Sequence, residues 1–273
     1  PASIGHQSAW YTEYSFIEDH FSRVNTLMTR GKADIKIGVI HPIESFWVHF
    51  GPNDQSGDIK AELDANFANI TEWMLRDCLD FDFICESTLP SLYREGEHGF
   101  TVGEMTYDAV LVPGCVTLRS STFDRLKAFA EHGGRVIFAG EAPHYLDAEK
   151  SDKCVAFAAD KTVSFTKNAV LSSLEPYRKV KICTAEGTKT DDLFAALRRD
   201  GEDLNLFVCR CQNSNRGTLH NDRTDTVMIR GEYTATLFDT ISGDISSLAA
   251  DYRNGWTCLR WQHNDHDSLL VQL

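Results

Sequence analysis

Residues able to carry nucleophilic and acid–base chemistry cluster in the middle of the chain. Cys115 follows Pro113-Gly114 at the end of an apolar run, and Glu141, His144 and Asp147 follow the next such run. A cysteine nucleophile needs a base within hydrogen-bond reach and donors for the oxyanion, so Cys115, His144 and Glu141 are the pattern of a cysteine-dependent hydrolase. A second group lies in His41-Pro42-Ile43-Glu44-Ser45-Phe46-Trp47-Val48-His49-Phe50. There the carboxylate of Glu44, the imidazoles of His41 and His49 and the ring of Trp47 could line a sugar pocket. The plainer expectation is a loop whose aromatics pack against a neighbouring domain. His41 and His49 lack a spacing that aims both at one ion, so no metal site is expected. Asp80 and Asp82 flank Phe81 and share a face by strand alternation, which reads as a solvated strand edge.

These groups depend on the elements that carry them. Ile35–Ile40 is a short β-branched run closed by His41-Pro42, Phe81–Cys85 is a second, Asp108–Val112 a third and Arg135–Ala139 a fourth. Between them, Asp58 can cap a helix with the stripe Leu63, Phe67, Ile70 and Met74. Ser120 or Ser121 can cap another that ends at Gly133-Gly134. This alternation predicts a doubly wound parallel sheet, whose ligands bind at the carboxyl ends of its strands. No glycine-rich phosphate motif follows any strand, so no dinucleotide, nucleotide or other cofactor is expected. Helices are expected near Val155 and over 169–174, and a strand over 180–183.

Before this region, Ile17, Phe21, Val24 and Met28 recur at helical spacing up to Gly31. After about Asp192 the pattern changes to short strand-like runs: Leu204–Cys211, Thr226–Arg230, Thr234–Asp239, Asp244–Leu248, Trp256–Trp261 and Ser268–Leu273. Turn signals at Asp200-Gly201, Asn213-Ser214-Asn215, Ser242-Gly243-Asp244 and Asn254-Gly255 separate them, which predicts an antiparallel β-sandwich. The expected organisation is a leading helix over 1–31, an α/β domain over 32–190 and a sandwich over 191–273.

The 273 residues carry 27 basic and 40 acidic side chains, a net charge of −13. That balance excludes nucleic acid and acidic membrane surfaces as favoured partners. No apolar run approaches the roughly 20 residues of a membrane-spanning helix. The eight cysteines form no C-x-x-C pair and several lie in apolar runs, as expected of reduced thiols in a cytoplasmic protein.

The segment Asp108-Ala-Val-Leu-Val-Pro-Gly114 followed by Ser120 to Gly140 resembles the class I glutamine-amidotransferase-like, flavodoxin-like domain of large bacterial glycoside hydrolases. Trp10 to Lys32 is similar to the helix that closes the catalytic (β/α)8 barrel in α-L-rhamnosidase-like enzymes. His41 to Trp47 resembles the loop that follows in uncharacterised members. Arg230 to Asp244 with Asp267 to Leu273 is similar to their C-terminal β-sandwich, and the trimerisation domain of some β-galactosidases shares the α/β plan. The resemblance implies a non-catalytic accessory region whose partners are an upstream catalytic barrel of the same polypeptide, carbohydrate, or further copies of itself. It also implies loss of amidotransferase chemistry, because the family's nucleophilic cysteine follows the strand matching Arg135–Ala139, where Gly140-Glu141-Ala142 stands. Cys115 lies one strand too early for that role. The alternative is a stand-alone cysteine-dependent hydrolase or glutamine amidotransferase-like enzyme using Cys115, His144 and Glu141. A third option, a carbohydrate-binding module in the sandwich, would use Trp256 or Trp261.

Overall fold

A computed structural model describes residues 5–96, 99–211, 222–264 and 266–273. The terminal Pro1-Ala2-Ser3 and the turn read at Asn213-Ser214-Asn215 lie outside the described residues. The chain divides into two compact units, one of Ile35–Arg178 and one of Pro1–Asp34 with Lys179–Leu273.

The first unit is built on a parallel sheet. Its strands are β1 (Ile37–Ile40), β2 (Asp82–Ile84), β3 (Ala109–Pro113), β4 (Arg135–Ala139) and β5 (Thr162–Val163), hydrogen-bonded in the order β2-β1-β3-β4-β5. All pairs are parallel. Every residue of β1 and β3 is buried, as parallel strands covered on both faces require. The covering helices are α1 (Ile43–Val48), α2 (Asn53–Arg76), α3 (Ser120–Glu131), α4 (Lys153–Ala158) and α5 (Lys167–Leu174). Ile70 and Met74 of α2 and Val170 and Leu174 of α5 share one core with Ile37, Val39, Leu111 and Ile137. On the other face Phe157 of α4 meets Phe123 of α3 and Phe138 of β4 edge-on.

Helix α2 starts at Asn53, five positions ahead of the expected cap Asp58, because Pro52 supplies the extended N-terminal residue. The segment expected as a loop after β1 is the short helix α1. Arg178 closes the unit. Its side chain is buried, its Nε donates to both Glu175 oxygens (2.9 and 2.8 Å), and its terminal nitrogens donate to the carbonyl and the carboxylate of Asp77.

The second unit holds antiparallel strands β6 (Val180–Thr184), β7 (Leu193–Asp200), β8 (Asp203–Arg210), β9 (Arg223–Arg230), β10 (Ala235–Phe238), β11 (Ile245–Leu248), β12 (Ala250–Arg253), β13 (Trp256–His263) and β14 (Ser268–Gln272). Among the described residues one sheet runs Lys32–Ala33, β7, β8, β14, β10, β11 and the other β6, β9, β13, β12. Strands β7 and β12 were not legible as separate runs. Strand β6, expected at the end of the α/β domain, pairs instead with β9, so the break falls between Arg178 and Lys179.

The leading helix (Tyr14–Met28) belongs to this second unit and packs on β8. Arg23 donates to the carbonyl oxygens of Thr240 (3.0 Å) and Ile241, and Arg198 of β7 donates to the carbonyls of Arg30 and Gly31, both at 2.8 Å. Of the stripe read from periodicity, Val24 is buried and Met28 half-buried, with Leu27 beside them, while Ile17 and Phe21 are exposed. Gly31 turns the chain at φ +57°, and a Cβ there would lie 1.9 Å from the Arg199 carbonyl oxygen. No described helix is long and apolar enough to cross a membrane.

Candidate functional site

In an open parallel sheet the strand ends next to a reversal of strand order leave a crevice. Here the order reverses beside β1, and a cavity of about 350 Å³ opens between α2 and the carboxyl ends of β3 and β4. Ile59, Glu62, Leu63 and Asn66 line it from α2, Gly114, Cys115 and Val116 from the loop after β3, and Gly140, Glu141, Ala142, His144 and Tyr145 from the loop after β4. Phe165 completes the wall.

A small sheet fixes both loops: Tyr145–Leu146 pairs parallel with Thr117–Leu118 and antiparallel with Glu149–Lys150. Buried Ser45 of α1 holds the first loop, its Oγ accepting from the amides of Val116 (2.9 Å) and Thr117 (3.2 Å). Asp147 sits at φ +51° and accepts the Ser120 amide at 3.0 Å, so the acid read beyond β4 works as a helix cap. The hydrogen bonds from Ser120 hold its carboxyl below the ordinary range.

The structure brings Cys115, Glu141 and His144 to the rim of one cavity, with unequal roles. His144 Nε2 lies 2.8 Å from Glu141 Oε1, and the side chains are 45% and 83% exposed. Cys115 is buried, and its thiol donates to the carbonyl of Pro113 at 3.2 Å. Burial first, and the neighbouring Glu86 second, push that thiol far above its ordinary value, outweighing the hydrogen bond with Ser45 that favours the thiolate. Among the described residues no hydrogen bond joins Cys115 to His144. The amides of Gly114 and Gly140 donate to the carbonyls of Ala139 and Val163, both at 2.9 Å, so neither serves an oxyanion. A nucleophile needs a thiolate, a base and free donors. Here burial holds the Cys115 thiol protonated, and among the described residues it is not hydrogen-bonded to the imidazole that would serve as its base.

His41, Glu44, Trp47 and His49 do not line the cavity. His41 packs edge-on against Phe67 and Phe83 (centroids 5.3 and 5.6 Å), and burial lowers its pKa. Glu44 accepts Arg119 Nε at 2.9 Å and Nη2 at 2.6 Å. Trp47 stands exposed, and His49 Nε2 is buried without a partner. These four residues are thus separate from the cavity that holds Cys115, Glu141 and His144.

Sequence reasoning missed Glu86, a side chain only 1% exposed at the end of β2. It accepts the Arg119 amide at 2.8 Å, yet burial raises its pKa to about 7. Its signal was slight: one acid after Cys85, and one arginine before a helix cap. The Asp80–Asp82 edge is likewise not solvated in the expected way. Asp82 accepts the Tyr107 hydroxyl at 2.9 Å, and burial raises Asp80 to about 6. Among the described residues no cluster of three or more His, Cys, Asp or Glu could hold a metal ion. All eight cysteines are free thiols.

No protein-family model matches the chain, and no curated protein matches it. Solved structures do. A rhamnosidase from Novosphingobium sp. PP1Y superposes with a TM-score of 0.65 at 13% identity, over 99% of this chain and 25% of that one. The GH42 β-galactosidase Gan42B from G. stearothermophilus (TM-score 0.55, 9% identity) matches over 98% of this chain and 44% of its own. A β-galactosidase from Bacillus circulans sp. alkalophilus (TM-score 0.53, 9% identity) matches over 98% and 46%. The shared property is fold. The chain spans a quarter to under half the length of these glycoside hydrolases.

Proposed function

We propose that the chain is a non-catalytic accessory region of a carbohydrate-acting glycoside hydrolase. In this reading Ile35–Arg178 is a flavodoxin-like, amidotransferase-like scaffold without a nucleophile, and the antiparallel unit is a β-sandwich that incorporates the helix leading from a catalytic barrel. One observation carries the reading: nearly the whole chain matches only a part of each of several glycoside hydrolases. Two others support it. The order β2-β1-β3-β4-β5 is the flavodoxin-like one, and Glu141 stands where the amidotransferase cysteine would be. The leading segment also exposes Trp10, Tyr11, Phe16, Ile17 and Phe21, an apolar surface suited to cover by another domain or a second copy.

The test is turnover. The chain by itself should release no product from aryl α-L-rhamnosides or aryl β-D-galactosides and no ammonia from glutamine. The gene's full reading frame should place a barrel with two suitably spaced carboxylates ahead of Pro1. Turnover by the chain that disappears in Cys115→Ala would overturn the reading in favour of a cysteine hydrolase, and a start codon adjoining Pro1 would overturn it outright.

A further inference from the structure

We infer that the cavity between α2 and the carboxyl ends of β3 and β4 binds a single neutral, polyhydroxylated ring such as a pyranose. The inference rests on the reading of the chain as part of a carbohydrate-acting protein. Size comes first. About 350 Å³ is the lower end of small-molecule sites, enough for one sugar ring and too little for an extended chain.

Charge comes second. The lining contains Glu62, Glu141 and His144 and no lysine or arginine. Such a wall repels phosphates, nucleotides and sugar acids. The amides of Gly114 and Gly140 are bonded to the sheet and are not offered to an anion.

Surface chemistry comes third. Phe165, backed by Trp73 with ring centroids 5.5 Å apart, and Tyr145 give aromatic surface for the apolar face of a sugar. Asn66 adds a donor and an acceptor from α2. His144 engages only Oε1 of Glu141, which orients the carboxylate and leaves Oε2 to accept from a hydroxyl. Gly114 and Gly140 preserve this shape. A Cβ on Gly114 (φ +37°) would lie 3.1 Å from Asn66 Nδ2, and one on Gly140 (φ +83°) 3.2 Å from Phe165 Cβ.

The experiment is saturation-transfer and ¹H–¹⁵N NMR of the whole chain with methyl β-D-galactoside and methyl α-L-rhamnoside. D-galacturonate, inorganic phosphate and D-glucosamine are run in parallel. The expected result is millimolar binding of at least one neutral glycoside, with amide shifts at Gly114, Gly140 and Ala142. Glu62→Ala, on the exposed face of a helix, and Glu141→Gln should each weaken binding by about tenfold, with the circular-dichroism melt unchanged. Absence of saturation transfer, binding indifferent to both substitutions, or preference for the anions or the amine would each overturn the proposal. None of those results bears on turnover, which tests the accessory reading separately.

Discussion

The protein contains the same chemical pair twice, in opposite surroundings. Glu141 and His144 stand 2.8 Å apart at the mouth of a cavity, with side chains 83% and 45% exposed. Asp225 and His263 stand 3.0 Å apart in the antiparallel unit, with side chains 0% and 1% exposed. The second pair arises because Arg223 of β9 lies directly opposite His263 of β13, which sets Asp225 on the diagonal. Arg223 donates to Asp225 at 2.7 Å and to Asp192 at 2.8 Å, and the Trp261 ring stacks on His263 at 3.7 Å. The first pair follows β4, where the chain has left the sheet and both side chains reach solvent. Burial, rather than the identity of the acid and base, separates a pair that holds strands together from one that can meet a ligand.

Breaking the buried pair should have the largest effect. Asp225→Ala leaves Arg223 and His263 facing a site without their carboxylate, and should destabilise the antiparallel unit by about 3–5 kcal/mol in urea unfolding. A loss under about 1 kcal/mol, the range of exposed pairs, would erase the contrast between the two sites.

Glu86 sharpens the comparison from the other unit, because it is buried without a side-chain cation as its main partner. Its pKa rises from 4.5 to about 7 on folding, mostly through burial. The folded state therefore binds the proton more tightly between those values. The contribution of Glu86 to stability is complete below pH 4.5, falls as pH rises to about 7, and is constant above. Glu86→Gln keeps an acceptor for the Arg119 amide without the charge. The variant should exceed the parent by about 3 kcal/mol at pH 8 and converge with it below pH 4.5. A difference independent of pH would mean that the carboxyl is not protonated on folding.

Cys115 should respond less. Alkylation by iodoacetamide of the native protein at pH 8 should be far slower at Cys115 than at the partly exposed Cys85, since the reactive species is the thiolate. Cys115→Ala should cost about 1 kcal/mol by removing one small buried group. Rapid alkylation at Cys115 would revive it as a nucleophile.

The architecture of the α/β unit was legible because parallel strands buried on both faces read as unbroken apolar runs, as Ala109–Pro113 and residues 136–139 do. Helix α3 was equally plain, with Phe123, Leu126 and Phe129 inward and Gly133-Gly134 beyond its end. The stripe of the leading helix was legible only at its C-terminal end, since Ile17 and Phe21 keep helical period with Val24 and yet stand exposed while Val24 and Leu27 are buried. Periodicity reports an apolar stripe and not what covers it. Residues 43–48 form a helix that Pro42 starts rather than a loop, and Arg119, distant in sequence, bonds one oxygen of Glu44. The site was half legible. Cys115, Glu141 and His144 do share a cavity, but that Cys115 is buried while Glu141 and His144 reach solvent leaves no local pattern in the sequence.

The smallest effect on stability should come from the exposed pair, and that smallness is what makes it informative. His144→Ala removes one partner of a hydrogen-bonded pair largely in solvent, which is worth about 0–1 kcal/mol, and breaks no bond of either sheet. The melting curve should therefore barely move. Glycoside binding should still weaken, because Glu141 would lose the group that fixes its carboxylate at the cavity wall. His144→Gln retains an amide donor for Glu141 and should restore part of the binding. A large loss of stability in His144→Ala would place this pair with Asp225–His263 as a structural element, and the functional distinction between them would fall.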